Sequence, residues 1–365
     1  MNSNILDIAL LSLETRVKSA IGKCPRAPLA VYFAPTQRCN FSCQKCIIGR
    51  PGSINPTEEM STERILSLLG ELRECGTKII AFWGGEPLIH KDIGLIIKTA
   101  HSLGMYIYMT TNGYLLTPAI RKMLLDSGIN SVSVSLDHTR PGGHDELRGV
   151  EGAFARIIDG IKGLVAESRG KLNIGTNMVV HKDNISEIVP MAKLTIELGV
   201  HWFKIMPVHA DYPFGDKSFV DSDILFSPDD SKKFVQAMKE AGEILHQGGL
   251  YTNSQYYRRG MATYFTGVDA PQKCKAGYLL ANISSYGDLS LCTRDKRTVG
   301  NVKHTHFREV WFSEEFELIR KEENRSICRH CWLSCFVEPS MRLYLSFHLR
   351  NIGTSLKELS FAGGC

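Results

Sequence analysis

The stretch Cys39-Asn40-Phe41-Ser42-Cys43-Gln44-Lys45-Cys46 puts three cysteines within eight residues, spaced CxxxCxxC. Thiolates are soft ligands that select zinc and iron–sulfur clusters. A structural zinc site takes four ligands, and the nearest histidine in sequence is His90. Three thiolates instead hold three irons of a four-iron, four-sulfur cluster, whose usual complement is four cysteines, and leave the fourth iron open. Phe41 stands between the first two cysteines, where its ring would keep water from such a cluster.

A second group lies near the other end. Cys274 and Cys292 are followed by Cys328, Cys331 and Cys335 in CxxCxxxC spacing, with GDLSLC (287–292) reading as a tight turn into a short strand. Eight of the eleven cysteines therefore fall in two groups with CxxC spacing. In a chain without a secretion signal, that means metal or cluster ligation rather than disulfides. Five thiols ligate one four-iron cluster with one to spare. Paired cysteine knuckles suit zinc equally well. Cys24, Cys75 and Cys365 carry no motif, and His304 and His306 read as surface residues.

These loops need elements to position them. Strand-like runs at 29–35, 78–84, 106–112, 131–137, 173–180 and 201–208 alternate with helical patterns at 57–76, 93–104, 152–168, 184–198 and 228–247. Alternation of this kind predicts a parallel sheet with helices outside. Six units are too few for an eight-fold barrel, so the expected fold class is α/β, a partial (β/α)6 TIM-like barrel with a small cysteine-rich C-terminal domain. Chemistry in such folds belongs at the C-terminal ends of the strands. The motifs obey that rule: the cysteine loop follows the first strand, Gly84-Gly85-Glu86-Pro87 the second, Thr111-Asn112-Gly113 the third, and Asp137 ends the fourth. In SVSVSLD, Ser131, Ser133 and Ser135 share one face of a strand. Gly84 and Gly85 would let backbone approach a ligand, Glu86 would accept from a cationic group, and Pro87 stiffens the turn. On the sixth strand Lys204 becomes a ligand contact if its face points inward; otherwise it is a solvated lysine.

With CxxxCxxC, GGEP and SxSLD in order, residues 29–208 resemble the radical S-adenosylmethionine (SAM) superfamily. The resemblance implies that SAM chelates the open iron, that the reduced cluster passes an electron to the sulfonium, and that the resulting 5′-deoxyadenosyl radical takes a hydrogen atom from a substrate. It implies SAM contacts at Gly84, Gly85, Glu86 and Pro87, at Ser135 and Arg148 for the carboxylate, and at Asn177. Asp137 is read either as a turn cap or as a ligand contact. The second cysteine group resembles the SPASM and twitch domains, which hold auxiliary iron–sulfur clusters. By analogy with the twitch arrangement, Cys274, Cys292, Cys328 and Cys331 are the expected ligands, with Cys335 the rival to either of the last two. A full SPASM domain has seven cysteines; five here imply one auxiliary four-iron cluster. The expected partners are a peptide or small-molecule substrate and a reductase such as flavodoxin or ferredoxin.

The expected organisation is an N-terminal helical extension at 1–28, the barrel at 29–250, the auxiliary-cluster domain at 251–340 and a tail at 341–365. Ile5, Leu6, Ile8, Ala9, Leu11, Leu13 and Val17 would share one face of an N-terminal helix. That extension is shorter than the leader-recognition domain that peptide-modifying relatives often carry, though a separate protein could supply that role. The net charge of +5 is spread out and the longest basic cluster is brief, which argues against nucleic acid. No run of about 18 apolar residues occurs, so no membrane span and a cytoplasmic location are expected. The reading favours an enzyme over a non-catalytic iron–sulfur or zinc protein, because a structural cluster needs neither an open iron nor a SAM pocket. Peptide or protein maturation is the leading expectation. Oxidation or rearrangement of an aminocyclitol, sugar or tetrapyrrole is the alternative.

Overall fold

The computed structural model describes residues 14–15, 17–18, 24, 26–44, 46, 48, 55–209, 225–267, 274–295, 297–323 and 331–342. Six parallel strands come first: β1 (Ala30–Phe33), β2 (Ile79–Phe82), β3 (Tyr106–Thr111), β4 (Ser131–Ser135), β5 (Asn173–Val180) and β6 (Trp202–Pro207). Between them run α1 (Thr62–Cys75), α2 (Ile93–Ser102), α3 (Pro118–Asp126), α4 (Pro141–Arg148), α5 (Ala153–Ser168) and α6 (Ile188–Glu197). Helices α3 and α4, of nine and eight residues, escape the sequence reading. Local chemistry sets the boundaries of the rest. Helix α1 starts where the Ser61 side chain accepts from Arg64 N–H and stops at Gly76, whose φ is +104°.

Alternate residues face opposite sides of each strand. Val31, Ile80, Ile107, Val132 and Ile174 are fully buried on one side, under the helices. The other side, the concave face of the curved sheet, carries Tyr32, Tyr108, Ser131, Ser133, Ser135, Asn177, Trp202 and Lys204, as the strand register shows. The lumen is thus polar and aromatic, and the helix-facing side is aliphatic.

Beyond α7 (Pro228–Gln247) and α8 (Gln255–Phe265), the chain returns to the same sheet. Strand β7 (Leu280–Ile283) pairs parallel to β1, and β8 (Asp288–Ser290) and β9 (Gly300–Asn301) follow antiparallel. The sheet order is β6-β5-β4-β3-β2-β1-β7-β8-β9. The boundary drawn at residue 250 is therefore not a gap in the sheet: β7 supplies backbone partners for the free edge of β1. GDLSLC behaves as read, with Gly287 at φ +89° turning the chain into β8. The C-terminal region also contains α9 (Phe307–Trp311), α10 (Glu314–Glu323) and α11 (Ser334–Arg342).

Helix α11 closes the side of the barrel that the sheet leaves open. Met206 of β6 and Leu280 of β7 pack on one apolar cluster with Leu333 and Phe336. The Glu338 carboxylate accepts from Asn253 Nδ2 (3.1 Å) and Ser254 N–H (2.7 Å), beside β6. Among the described residues no helix is long and apolar enough to cross a membrane. Of the N-terminal apolar face, Ile5 to Leu13 lie outside the described residues. Val17 is exposed.

Candidate functional site

The CxxxCxxC loop lies at the C-terminal end of β1 and is held from three sides. Upstream, the Glu59 carboxylate accepts from Thr36 Oγ1 (2.8 Å) and Gln37 N–H (2.7 Å). From β3, Asn112 Nδ2 donates to Asn40 Oδ1 (2.8 Å). From α4, the Leu147 carbonyl accepts from Gln44 N–H (3.0 Å). Phe41 is buried edge-on against Tyr114, with ring centroids 5.6 Å apart, so its ring packs on the barrel wall. Burial, with the Glu86 and Cys43 charges added, pushes the Cys39 thiol up to about 12. A thiol in that setting becomes a ligand only against strongly bound cations, which deprotonate it outright.

The GGEP turn packs directly on the cysteine loop. Gly84 and Gly85 approach the cysteine loop's own backbone. A Cβ on Gly84 would lie 2.7 Å from Thr36 O, and one on Gly85 would lie 2.1 Å from Arg38 O. Gly85 N–H donates to Thr36 O (3.1 Å) and Glu86 N–H to Arg38 O (2.8 Å). The Glu86 carboxylate is fully buried and engaged by three protein donors: Leu88 N–H (3.1 Å), Thr111 Oγ1 (2.8 Å) and Asn112 N–H (2.7 Å). Burial pushes its carboxyl up to about 7 against those bonds. The Glu86 side chain ties β2 to β3 beneath the loop. Pro87 opens a buried 3-10 turn and stiffens it as expected.

Arg148 ends α4 directly beside the loop. Its Nη2 pairs with Asp137 Oδ2 at 2.6 Å and its Nη1 lies 3.9 Å from Cys43 Sγ. Burial works against the charge, but Asp137 and Cys43 outweigh it and hold the guanidinium above its ordinary pKa. Its Nε is buried without a partner, a donor left over for a ligand. Asp137 also accepts from Val179 N–H (2.9 Å). It thereby orients Arg148 and braces β5. Ser135, Asn177 and Lys204 are register partners across β4, β5 and β6, half-buried on the lumen face near the mouth.

In the second group, Cys274, Cys292, Cys331 and Cys335 all border the small cluster of Ala30, Leu279, Leu280, Leu333 and Phe336 under β1 and β7. Cys328 lies outside the described residues, as does Cys365. Burial first, then the neighbouring Cys331 and Cys274 charges, raise the Cys292 thiol well above its ordinary pKa. Cys274 is raised to about 11 by burial. Tyr32 Oη donates to the Cys335 carbonyl (2.8 Å), tying this group to β1. Cys335 borders the same cluster as Cys274, Cys292 and Cys331.

Sequence reasoning missed the residues that hold this second group. His209 Nε2 accepts from Trp332 N–H (3.0 Å), and Tyr257 Oη donates to the Trp332 carbonyl (2.6 Å). Lone histidines and tyrosines in mixed segments carry no spacing signal. Cys75 packs at the end of α1, and His304 and His306 are exposed, as expected.

All described cysteines are free thiols. Among the described residues, no three His, Cys, Asp or Glu side chains gather closely enough for a single metal ion. An all-thiol donor set fits an iron–sulfur cluster at each place.

Residues 33–195 match the radical SAM superfamily, and residues 274–332 match an iron–sulfur cluster-binding domain of the SPASM type. The AdoMet-dependent heme synthase of Methanosarcina barkeri is 30% identical over 328 residues, covering 84% of this chain and 88% of that one. The PqqA peptide cyclase of Rhizobium meliloti is 24% identical, covering 83% and 79%. Among solved structures, Streptococcus suis SuiB bound to its precursor peptide SuiA superposes with a TM-score of 0.65 at 17% identity, covering 88% of this chain and 73% of that one. The chain belongs to the radical SAM superfamily and carries a SPASM-type auxiliary domain. It is an enzyme that uses a four-iron cluster, SAM and auxiliary iron–sulfur chemistry.

Proposed function

We propose that Cys39, Cys43 and Cys46 hold the SAM-binding cluster and that Cys274, Cys292, Cys331 and Cys335 hold one auxiliary cluster, with Cys328 the alternative to either of the last two. Bound there and reduced, the SAM-binding cluster would supply the electron for reductive cleavage of SAM and so the hydrogen-atom abstraction from the substrate. The observation that carries this reading is the junction of Cys43, Arg148 and Asp137: a guanidinium with one unused buried donor lies against the cysteine loop. Arg148 and Ser135 bind the SAM carboxylate, and Asn177 faces the bound cofactor. Gly84, Gly85, Glu86 and Pro87 set the height of the cysteine loop over the lumen. Helix α11 and the Trp332 loop cover the barrel's open side and exclude water from the radical.

The substrate is a peptide, and the chain is a peptide maturase. Supporting this are the PqqA peptide cyclase similarity over most of the chain and the fold shared with SuiB in complex with its precursor peptide. A second reading, a tetrapyrrole substrate, is favoured by the 30% identity to a heme synthase. A flavodoxin or ferredoxin supplies the electron.

Iron and acid-labile sulfide per chain, after anaerobic reconstitution, test the cluster assignment. About eight irons should fall to about four when Cys39, Cys43 and Cys46 become alanine. Four falling to none, with zinc present, would make the second group a zinc site. Incubation with SAM, dithionite and either short peptides or tetrapyrroles then separates the substrate readings. The true class raises 5′-deoxyadenosine release and changes mass.

A further inference from the structure

The end of α4 is fastened to the cysteine loop on both sides of one residue pair. Ser42 Oγ donates to the Gly149 carbonyl (3.4 Å), and Gln44 N–H donates to the Leu147 carbonyl (3.0 Å). The residues flanking Cys43 are thus bonded to the residues flanking Arg148. Gly149 permits this approach: its φ is +69°, and a Cβ there would lie 2.7 Å from Ser42 O. Between the two fastenings, Arg148 Nη1 donates toward Cys43 Sγ at 3.9 Å. From the other side, Asp137 Oδ2 takes Nη2 at 2.6 Å, and Val179 N–H fixes Asp137 Oδ1 at 2.9 Å. The guanidinium is a rigid fork, so holding one arm aims the other. Its side chain is only 14% exposed, and charge interactions strengthen away from water. The C-terminal end of a helix carries partial negative charge, and α4 ends here. Arg148 supplies positive charge at Cys43 where the helix alone would supply negative.

We infer that Arg148 donates a hydrogen bond to the Cys43 sulfur and thereby raises the reduction potential of the cluster that Cys39, Cys43 and Cys46 would hold. The inference rests on the cluster assignment proposed above, and it gives Arg148 a positioning and tuning role that its SAM contact does not require. The potential of an iron–sulfur cluster responds to net charge and to hydrogen bonds at its sulfurs. Reduction adds one electron from the reductase and makes the cluster more negative; no bond breaks and no proton moves. A charged donor at a ligand sulfur stabilises that more negative form, so it eases entry of the electron. The fork divides three tasks: Nη2 anchors on Asp137, Nη1 meets the sulfur, and Nε is left for SAM.

The test is potentiometry read by electron paramagnetic resonance, on the anaerobically reconstituted full chain without SAM. Leaving out SAM removes any effect of Arg148 on cofactor binding. The variant with Cys39, Cys43 and Cys46 changed to alanine keeps the auxiliary cluster alone and identifies its midpoint, which then serves as the internal reference. In Arg148→Gln the other midpoint should fall by a tenfold shift toward the oxidised cluster, about 59 mV for one electron, while the auxiliary midpoint stays. Arg148→Lys keeps the charge but lacks the fork that serves Asp137 and Cys43 together, so its midpoint should also fall, by less. An unmoved or raised midpoint in either variant overturns the inference. An equal fall at both clusters marks a general loosening and overturns it too. Loss of the same four irons from both variants assigns Arg148 to loop structure alone and overturns it. Iron counting on the wild-type chain shows separately whether the underlying cluster assignment holds: about four irons instead of about eight would overturn that assignment, and the inference with it.

Discussion

Gly85→Ala probes the link between the GGEP turn and the cysteine loop most directly. Gly85 has no left-handed φ, so alanine meets no backbone strain of its own. The obstacle is space: the new Cβ would lie 2.1 Å from Arg38 O and 2.5 Å from Gln37 O. Both are backbone atoms, and no rotamer change relieves the contact. Ordinary contact is about 3.5 Å, so the segment leading into Cys39 must retreat by about 1.4 Å. Overpacking of this kind costs about 1–3 kcal/mol. The retreat also weakens the bonds from Gly85 N–H to Thr36 O and from Glu86 N–H to Arg38 O, each worth roughly 1 kcal/mol. The expected total is roughly 3 kcal/mol, with the displacement aimed at the first cysteine of the loop. Iron and sulfide analysis of reconstituted Gly85→Ala should therefore show the loss of about four irons per chain, and SAM cleavage should fall with them. Urea denaturation gives the stability change. A variant that reconstitutes fully and cleaves SAM at the wild-type rate would refute the idea that these glycines set the loop's position.

Gly70→Ala is the matched control. No atom lies within 4 Å of the added Cβ in the middle of α1, so the variant should gain about 0.5–1 kcal/mol in urea melts. Asp137→Ala leaves Arg148 buried without its carboxylate partner. It should cost about 3 kcal/mol and raise the SAM KM, measured by 5′-deoxyadenosine release. His144 is buried against Asp137 N–H, and burial, then Arg148, depress its pKa from 6.5 to about 4. The folded protein keeps it neutral while the unfolded chain takes up a proton, so its contribution is full above pH 6.5 and is lost as pH falls toward 4. That is roughly 3 kcal/mol. In His144→Gln, the urea-measured stability should lose this slope between those limits; an unchanged slope assigns it to other groups.

The identity of this chain as a radical SAM enzyme was legible in the residues themselves. Ligand spacing is local: CxxxCxxC after one strand and GGEP after the next declare their chemistry without long-range contacts. So is the alternation of apolar faces that made six strands and an outer layer of helices readable, with β5 placed to the residue. What a motif touches was not legible. Glu86 also clamps β2 to β3, because two of its three donors, Thr111 and Asn112, stand at the end of β3, which only the fold brings beside it. The C-terminal segment read as a separate small domain, yet β7 lies against β1 although some 250 residues separate them. An edge strand accepts any partner with free backbone groups, so no side-chain pattern announces that choice. The same holds for Lys204, whose inward or outward orientation hangs on the curvature of the sheet. Local spacing determined the chemistry this protein performs. Long-range packing decided which side chains line the lumen where a substrate must lie.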